Sequence, residues 1–501
     1  MPQPALVAAG AMLLVCLCLI SALQPKPYMD ELFHVAQTQA YCRALASSSP
    51  SNMLDAIKST PYDPAISTPP TPYLLVSVVV RYIVLAPFPR LVPVLCSVPA
   101  LRIASACIAF CALLQMHAIL KNVLIKTATR QELLHHYLRI GMSQADWLSA
   151  LALWLHPISS FFYMMFYTDN LAMLFLLLCM RQSHVFREPT LGKPVRVEYV
   201  AALMGVLASS VRQSYMIWHA LVVACSVVAL AEEMHPKIGR KTLQVERMWA
   251  HRATITWILW PHVLAGLLYT GFVAFNGGVA IGHREFHQPQ PHWMMFWYFC
   301  AYRLIFPYPD ACRAEDVTVA GFSRAYLFSA LEGTNARNRA RMVVLANLVL
   351  AGLVIVSIWL GTIVHPFVLA DNRHYSFALF RRVLTPSARF LFLPTYMLGF
   401  WVLVADLGPF CIATLPLLAL GLVPVPLFEP RYFAPPFMIS QFLTLLTQSR
   451  AARQKWYCGW FSSGIALSQI AAMLALFFFV PFSRPPDAHL PQDASLGRWM
   501  P

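Results

Sequence analysis

Runs of apolar residues, separated by short polar segments, follow one another from Ala5 to Phe482. They fall at residues 5–23, 73–86, 99–120, 146–166, 170–182, 198–212, 215–231, 253–275, 294–309, 342–365, 388–405, 410–427, 432–448 and 460–482. Backbone groups in lipid must be paired within their own segment. With about 20 residues needed per crossing, the pattern predicts an all-α polytopic membrane protein of roughly 11–14 transmembrane helices. Residues 1–482 read as a single membrane domain, followed by a Pro-rich tail, 483–501, expected to be disordered or to lie on the surface. The run 5–23 is long for the apolar part of a cleavable signal peptide and lacks a basic region before it, so an uncleaved first span is expected.

The polar segments are of two kinds. Those at 121–143, 181–197, 232–252, 310–341 and 449–456 are rich in Lys and Arg, whereas those at 24–72, 276–293, 366–387 and 428–432 carry unusual clusters. Alternation from span to span puts the basic loops on one side, which the positive-inside rule names as cytosolic. The last three cluster-bearing segments then face the other side. The long loop 24–72 joins them only if the run 73–86 lies along the membrane or re-enters, or if two spans are merged nearby. Within that loop, four prolines in nine residues (64, 69, 70 and 72) impose a stiff, extended backbone.

Composition agrees with this picture: 58% of the 501 residues are hydrophobic and 12% charged. The net charge of +15 is accounted for by cytosolic loops and calls for no nucleic acid. Twelve cysteines are scattered without paired spacing, so neither a disulfide framework nor a zinc site is expected.

Against so apolar a background, Tyr28-Met29-Asp30-Glu31-Leu32-Phe33-His34 stands out just beyond the first span. The pair Asp30–Glu31 reads either as solvated charge or a cap on a short helix over Leu32–Tyr41, or as a general base whose basicity is raised by poor solvation. His34 would pair with it or with a phosphate. Asp371-Asn372-Arg373-His374-Tyr375 places five hydrogen-bonding side chains in sequence, suited to a phosphate or to an interfacial loop. Glu429 and Arg431 form either a structural ion pair or an anion site. Asn276-Gly277-Gly278, followed by Gly282-His283-Arg284, marks either a plain turn or a close approach to a ligand. Tyr167-Thr168-Asp169-Asn170, Arg212-Gln213-Ser214 and Arg102 sit near span ends, where ionisable groups are functional candidates or snorkelling anchors.

At these residues the chain resembles the endoplasmic-reticulum α-1,2-glucosyltransferases that add the terminal glucose to the lipid-linked oligosaccharide for N-glycosylation. The resemblance rests on Tyr28-Met29-Asp30-Glu31-x-Phe33-His34-x-x-Gln37-x-Gln39-x-Tyr41-Cys42, Asp63-Pro64 with Thr68-Pro69, and Arg212-Gln213. It extends through Asn276-Gly277-Gly278 with Ile281-Gly282, Leu369 to Tyr375, and Glu429-x-Arg431-Tyr432. Three positions depart from the family pattern: Tyr62 stands where Trp is expected, Thr71 where Gly is common, and His283 where an acid is common.

The resemblance implies a C-type glycosyltransferase fold in the endoplasmic-reticulum membrane, with the site facing the lumen. It implies a dolichyl-phosphate-glucose donor, β-linked to phosphate, and a Glc2Man9GlcNAc2-pyrophosphate-dolichol acceptor. Inversion then needs one base and one leaving-group stabiliser. Asp30 is the expected base, with Glu31 its rival or positioning partner. The expected donor-phosphate and substrate residues are His34, Arg373, His374, Arg431, Asp371, Asn372, Tyr375, Glu429, Arg212, Gln213 and Asn276, with no metal and no cofactor. The dolichol tail would lie in a groove between spans. Three other classes compete: another dolichyl-phosphate-sugar transferase using mannose, a secondary transporter, and a structural membrane scaffold.

Overall fold

In the computed structural model, residues 4–84, 88, 91–127, 142–188, 194–234, 249, 252–306, 336–447, 456–483 and 496–501 are described. Most of the basic segments expected between spans, and residues 484–495 of the tail, lie outside them.

The described chain is helical, and its only β-pairings are isolated bridges. The principal helices are α1 (Pro4–Leu23), α2 (Glu31–Ala46), α3 (Met53–Ser59), α4 (Thr71–Val78) and α5 (Val98–Thr127). After these come α6 (Met142–Trp154), α7 (Pro157–Phe162), α8 (Thr168–Gln182), α9 (Pro194–Val211), α10 (Tyr215–Met234) and α11 (Arg252–Asn276). The set closes with α12 (Met294–Ile305), α13 (Ala336–Leu360), α14 (Leu393–Leu407), α15 (Cys411–Leu422), α16 (Ala434–Thr447) and α17 (Trp456–Phe479).

Among the described residues, five helical stretches are long and apolar enough to cross a membrane: Pro4–Leu23, Val98–Lys126, Arg252–Asn276, Ala340–Leu360 and Ala388–Leu422. Three shorter apolar helices, Thr71–Ile83, Tyr215–Ala231 and Gly464–Phe479, accompany them. The chain is therefore a multi-pass membrane protein. Its long helices turn apolar side chains outward, as Leu267, Phe275, Leu348 and Trp359 do, which suits a lipid solvent. Inside, one hydrophobic cluster runs from Ala5 to Met500.

Not every apolar run is one helix. The run 146–166 breaks after Trp154, because Pro157 offers no N–H and starts a new helix with His156 accepting from the Ser159 N–H at its cap. The runs 388–405 and 410–427 are parted as expected, at Gly408, whose φ of +52° ends α14.

The loop after α1 is longer than expected and is folded. α2 and α4 pack on each other, and α4 continues as a wider turn to Val84. A disulfide joins Cys42 on α2 to Cys96, just before α5. This corrects the expectation of no disulfide: the two cysteines are separated by 54 residues, a spacing without a signature. It also decides the parity question. Cys42 and Cys96 lie together, so the segment 73–86 between them makes no net crossing, and α5 is the next crossing after α1.

The end of the chain is likewise corrected. Residues 497–501 do not lie on the surface. Arg498 and Met500 are buried, and Gly497 bridges to Phe482.

Candidate active site

Asp30 and Glu31 adjoin in sequence but face different surroundings. The turn before α2 puts Met29 at φ +55°, a left-handed conformation that is costly for a residue with a side chain. Asp30 occupies the N-cap position of α2, yet its carboxylate makes no cap hydrogen bond. It faces Arg431, whose Nη2 donates to Oδ2 at 2.9 Å. The Asp30 backbone N–H donates to Tyr167 Oη at 3.2 Å.

Glu31 turns inward and is fully buried. Its carboxylate accepts from Arg102 Nη2 at 2.6 Å and Nε at 3.0 Å, from the Phe166 N–H at 2.8 Å and from the Tyr28 N–H at 3.1 Å. Arg102 also donates to the Gln24 and Lys26 carbonyls at 2.6 and 3.1 Å. Every lone pair facing a donor is thus used. Glu31 is buried and fastens the opening loop to α5 through Arg102.

A test follows. Glu31→Gln leaves Arg102 as a buried, uncompensated charge, which costs about 3–5 kcal/mol. The melting temperature of the purified variant should fall, while turnover per folded molecule stays near wild type. A variant with wild-type stability and abolished turnover would return Glu31 to the chemistry.

Arg431 is the hub of the site. Its carboxylate partners are Asp30, Glu429, which accepts from Nε, and Asp169 at 3.8 Å. Its guanidinium lies over the rings of Tyr167, Phe162 and Tyr432. Asp169 stands in the first turn of α8 and also pairs with Arg212, which lies over Tyr432. Two guanidiniums and three carboxylates are thereby interleaved. Sequence reading had singled out Asp169 near a span end and gave it no role. Its link to both arginines depends on the 167–169, 212 and 429–431 segments meeting in space, which no spacing reveals.

The expected rise in the basicity of Asp30 is reversed. Burial, the largest single influence, pushes its pKa up, but the charge and hydrogen bond of Arg431 together with His34 and His374 outweigh it. The carboxyl is held down at about 2. The side chain is 40% exposed, against 17% for both Asp169 and Glu429. Of the three carboxylates it is therefore the one a substrate reaches most easily.

The other sequence-selected residues divide. His374 is partly buried, acts electrostatically on Asp30, and places Nδ1 3.2 Å from the Pro501 carbonyl. Arg373 is buried and doubly bound to Asp371, with Nη2–Oδ2 at 2.6 Å and Nε–Oδ1 at 2.9 Å, and its guanidinium lies over the Tyr28 ring. Its charge is matched by Asp371. Asn372 is exposed, and the Tyr375 N–H donates to the Met500 carbonyl. His34 shares a 2.7 Å hydrogen bond with Tyr73 and stacks on its ring. Burial pushes its imidazole down to about 4, so at neutral pH it carries no charge to offer a phosphate.

Gln213 and Asn276 serve the loops. Gln213 donates to the Ser67 carbonyl at 2.8 Å. Asn276 donates to the Gly278 and Ala280 carbonyls and accepts from Arg284, and Gly277 adopts φ +72° in that turn. The turn carries Ile281–His283 onto the Pro-rich loop. The Ile281 N–H donates to Ser67 O and the His283 N–H to Pro64 O, both at 3.1 Å. A Cβ at Gly282 would run into the Pro64 carbonyl, so glycine is required by close approach rather than by a ligand.

A small cleft opens beside this cluster. Ala109, Ala112, Ile158, Phe162 and Met173 give it an apolar wall, and Asp169 and Arg431 contribute its charged part. An apolar cleft ending in an arginine is suited to an amphiphile with an anionic head.

Residues 24–442 match the model of the DIE2/ALG10 family, and the chain belongs to that family. A relative from Emericella nidulans is 26% identical over 430 residues, covering 78% of this chain and 65% of its own length. One from Homo sapiens is 27% identical over 455 residues, covering 83% of each chain. One from Arabidopsis thaliana is 24% identical, covering 93% of this chain and 94% of its own. All three bear the name Dol-P-Glc:Glc(2)Man(9)GlcNAc(2)-PP-Dol alpha-1,2-glucosyltransferase. No solved structure matches the chain.

Proposed function

We propose that this member of the DIE2/ALG10 family is an inverting glucosyltransferase. It moves glucose from dolichyl-phosphate-glucose to Glc2Man9GlcNAc2-pyrophosphate-dolichol through an α-1,2 linkage, the last step of lipid-linked oligosaccharide assembly for protein N-glycosylation. The relatives' shared name supports the substrates. The observation that carries the reading is the pairing of Asp30 with Arg431, whose side chain also lines an apolar cleft. That arrangement offers a base and a phosphate partner beside an apolar wall.

The reaction would proceed by single displacement. An acceptor hydroxyl oxygen forms a bond to the anomeric carbon while the bond from that carbon to the phosphate oxygen breaks. The electron pair leaves on dolichyl phosphate, and the hydroxyl proton passes to Asp30. Arg431, with Arg212 and His374 nearby, would stabilise the charge that develops on the phosphate. Binding and base activation are coupled through Arg431. When the donor phosphate draws this guanidinium, Asp30 loses the charge that depresses its pKa, and its affinity for a proton rises. Asp30 would be the carboxylate released, as it is more exposed than the other two.

On this reading the site lies in the endoplasmic-reticulum membrane, facing the lumen. The Cys42–Cys96 disulfide supports an oxidising compartment for the loop that carries Asp30. A C-type glycosyltransferase arrangement belongs to the same reading, supported by the folded first loop that brings its catalytic turn onto the helix bundle.

The function is tested by donor choice. Purified protein in nanodiscs, offered labelled dolichyl-phosphate-glucose and dolichyl-phosphate-mannose, should move only the glucose label onto the diglucosylated acceptor. Transfer of mannose, or of nothing, would refute the assignment. Asp30, Asp169 and Glu429 each have an arginine partner, so no acidic pair stands open for a divalent ion. A chelator should therefore leave the rate unchanged. Loss of activity with chelator, restored by added divalent ion, would show that a metal is required after all.

A further inference from the structure

Residues 496–501 return to the site from the far end of the chain. Gly497 exchanges two backbone hydrogen bonds of 2.9 Å with Phe482. The Met500 N–H donates to Arg373 O, and the Tyr375 N–H donates to Met500 O, also at 2.9 Å. This segment therefore runs along the 373–375 loop as a short parallel pairing.

Arg498 is the buried anchor of that segment, 7% exposed. Its guanidinium donates to the Phe477 and Phe478 carbonyls at 3.0 Å, to the Leu23 carbonyl at 2.9 Å and to Gln24 Oε1 at 3.3 Å. The first three are unpaired carbonyls at the C-termini of α17 and α1, where a cation is favoured. Capping two helix ends would account for the side chain alone. It does not account for the backbone. The Arg498 N–H donates to Tyr28 Oη at 2.6 Å, and its carbonyl accepts from the same hydroxyl at 2.8 Å. The Tyr28 ring is held between the Arg373 guanidinium and the edge-on ring of Phe477. From Tyr28 the chain passes directly into the left-handed turn at Met29 and so to Asp30.

We propose that Arg498 is a positioning residue for Asp30. By fixing the hydroxyl of Tyr28 and the end of α1, it holds the Met29 turn in the conformation that aims the Asp30 carboxylate at Arg431, and ties that turn to the 371–375 loop. The inference rests on Asp30 being the base, as argued above. Arg498 lies outside the residues matched by the family model, which end at 442.

The test uses the full-length purified protein with Arg498→Met, Arg498→Lys and Tyr28→Phe, each normalised to folded protein. A displacement of about 1 Å in a reacting group costs up to roughly 100-fold in rate. Arg498→Met and Tyr28→Phe should lower kcat by about 10- to 100-fold while the donor KM changes by less than about threefold. Arg498→Lys, which keeps a cation at the helix ends, should recover part of the loss.

The pH profile separates positioning from mere structure. Asp30 is faced by Arg431 from the 429–433 segment, His34 from its own helix, Tyr167 from the turn before α8 and His374 from the 371–375 loop. A carboxylate that slips away from Arg431 gains proton affinity in the free enzyme, so the acid limb of kcat/KM should move to higher pH in both variants. Unchanged kcat per folded molecule would overturn the proposal. So would a lower kcat with a pH profile superimposable on wild type. If Arg498→Met does not fold, Tyr28→Phe, which keeps the ring and removes only the bridging hydroxyl, decides alone. Wild-type protein that transfers no glucose would instead refute the glucosyltransferase reading itself.

Discussion

Asp30→Asn is expected to lower kcat by about 10²–10⁴-fold, the range contributed by a positioned general base, while the protein still binds its donor. The substitution keeps the size of the side chain and the turn at Met29, and removes only the capacity to take a proton. Donor affinity should hold or improve, because Arg431 loses a competing carboxylate and becomes freer to meet phosphate. Single-turnover transfer and dolichyl-phosphate binding, measured on the same preparation, separate these effects. Wild-type transfer by the variant would remove Asp30 from the role of base.

The pH behaviour of the free enzyme follows from the same pair. Asp30 is depressed from 3.8 to about 2 by Arg431. Its folded-state pKa lies below the unfolded one, so its contribution to stability is present above the unfolded value and is lost as pH falls toward 2. Between about pH 5 and 8 the carboxylate is therefore ionised, and kcat/KM should show no acid limb arising from it.

Arg431→Met should be comparably severe, with a loss of about 10²–10³-fold in kcat from the missing stabilisation of the leaving group. Unlike Asp30→Asn, it should also weaken binding of dolichyl phosphate, because the same guanidinium serves the ground state. Arg431→Lys should recover only part of this. An ammonium is a point charge and cannot present a planar fork to Asp30 on one edge and Glu429 on the other. Inhibition of transfer by dolichyl phosphate reports the binding loss directly. An inhibition constant unchanged in Arg431→Met would place the phosphate elsewhere.

The parts of this site that were legible in the sequence are those where residue type alone constrains chemistry. Ionisable residues in an otherwise apolar chain require partners, and that requirement picked out Asp30, Arg212, Glu429 and Arg431. What eluded the sequence is direction. Asp30 and Glu31 are neighbours, yet one lines the site and the other lies beneath it, because the Met29 turn and the start of α2 send successive side chains to opposite sides. Arg373 was chosen for its charge, but Asp371, two residues before it, already satisfies that charge. His34 was chosen for its possible charge, which burial against Tyr73 removes.

The fold shows the same division. Apolar runs revealed the membrane class. They did not reveal that 146–166 breaks at Pro157, since a run read for hydropathy ignores a missing N–H, nor that Cys42 meets Cys96. The tail read as polar and Pro-rich, and its composition masked the one buried arginine that joins both ends of the chain.

The most direct measurement is the configuration of the transferred sugar. Purified wild-type protein, given dolichyl-phosphate-glucose and the diglucosylated acceptor, should add one glucose that is released by an α-glucosidase and resists a β-glucosidase. That is the outcome of a single displacement with Asp30 as base. A β-linked product would require two successive displacements with a carboxylate as nucleophile, and would contradict the account. So would an acceptor that gains no glucose.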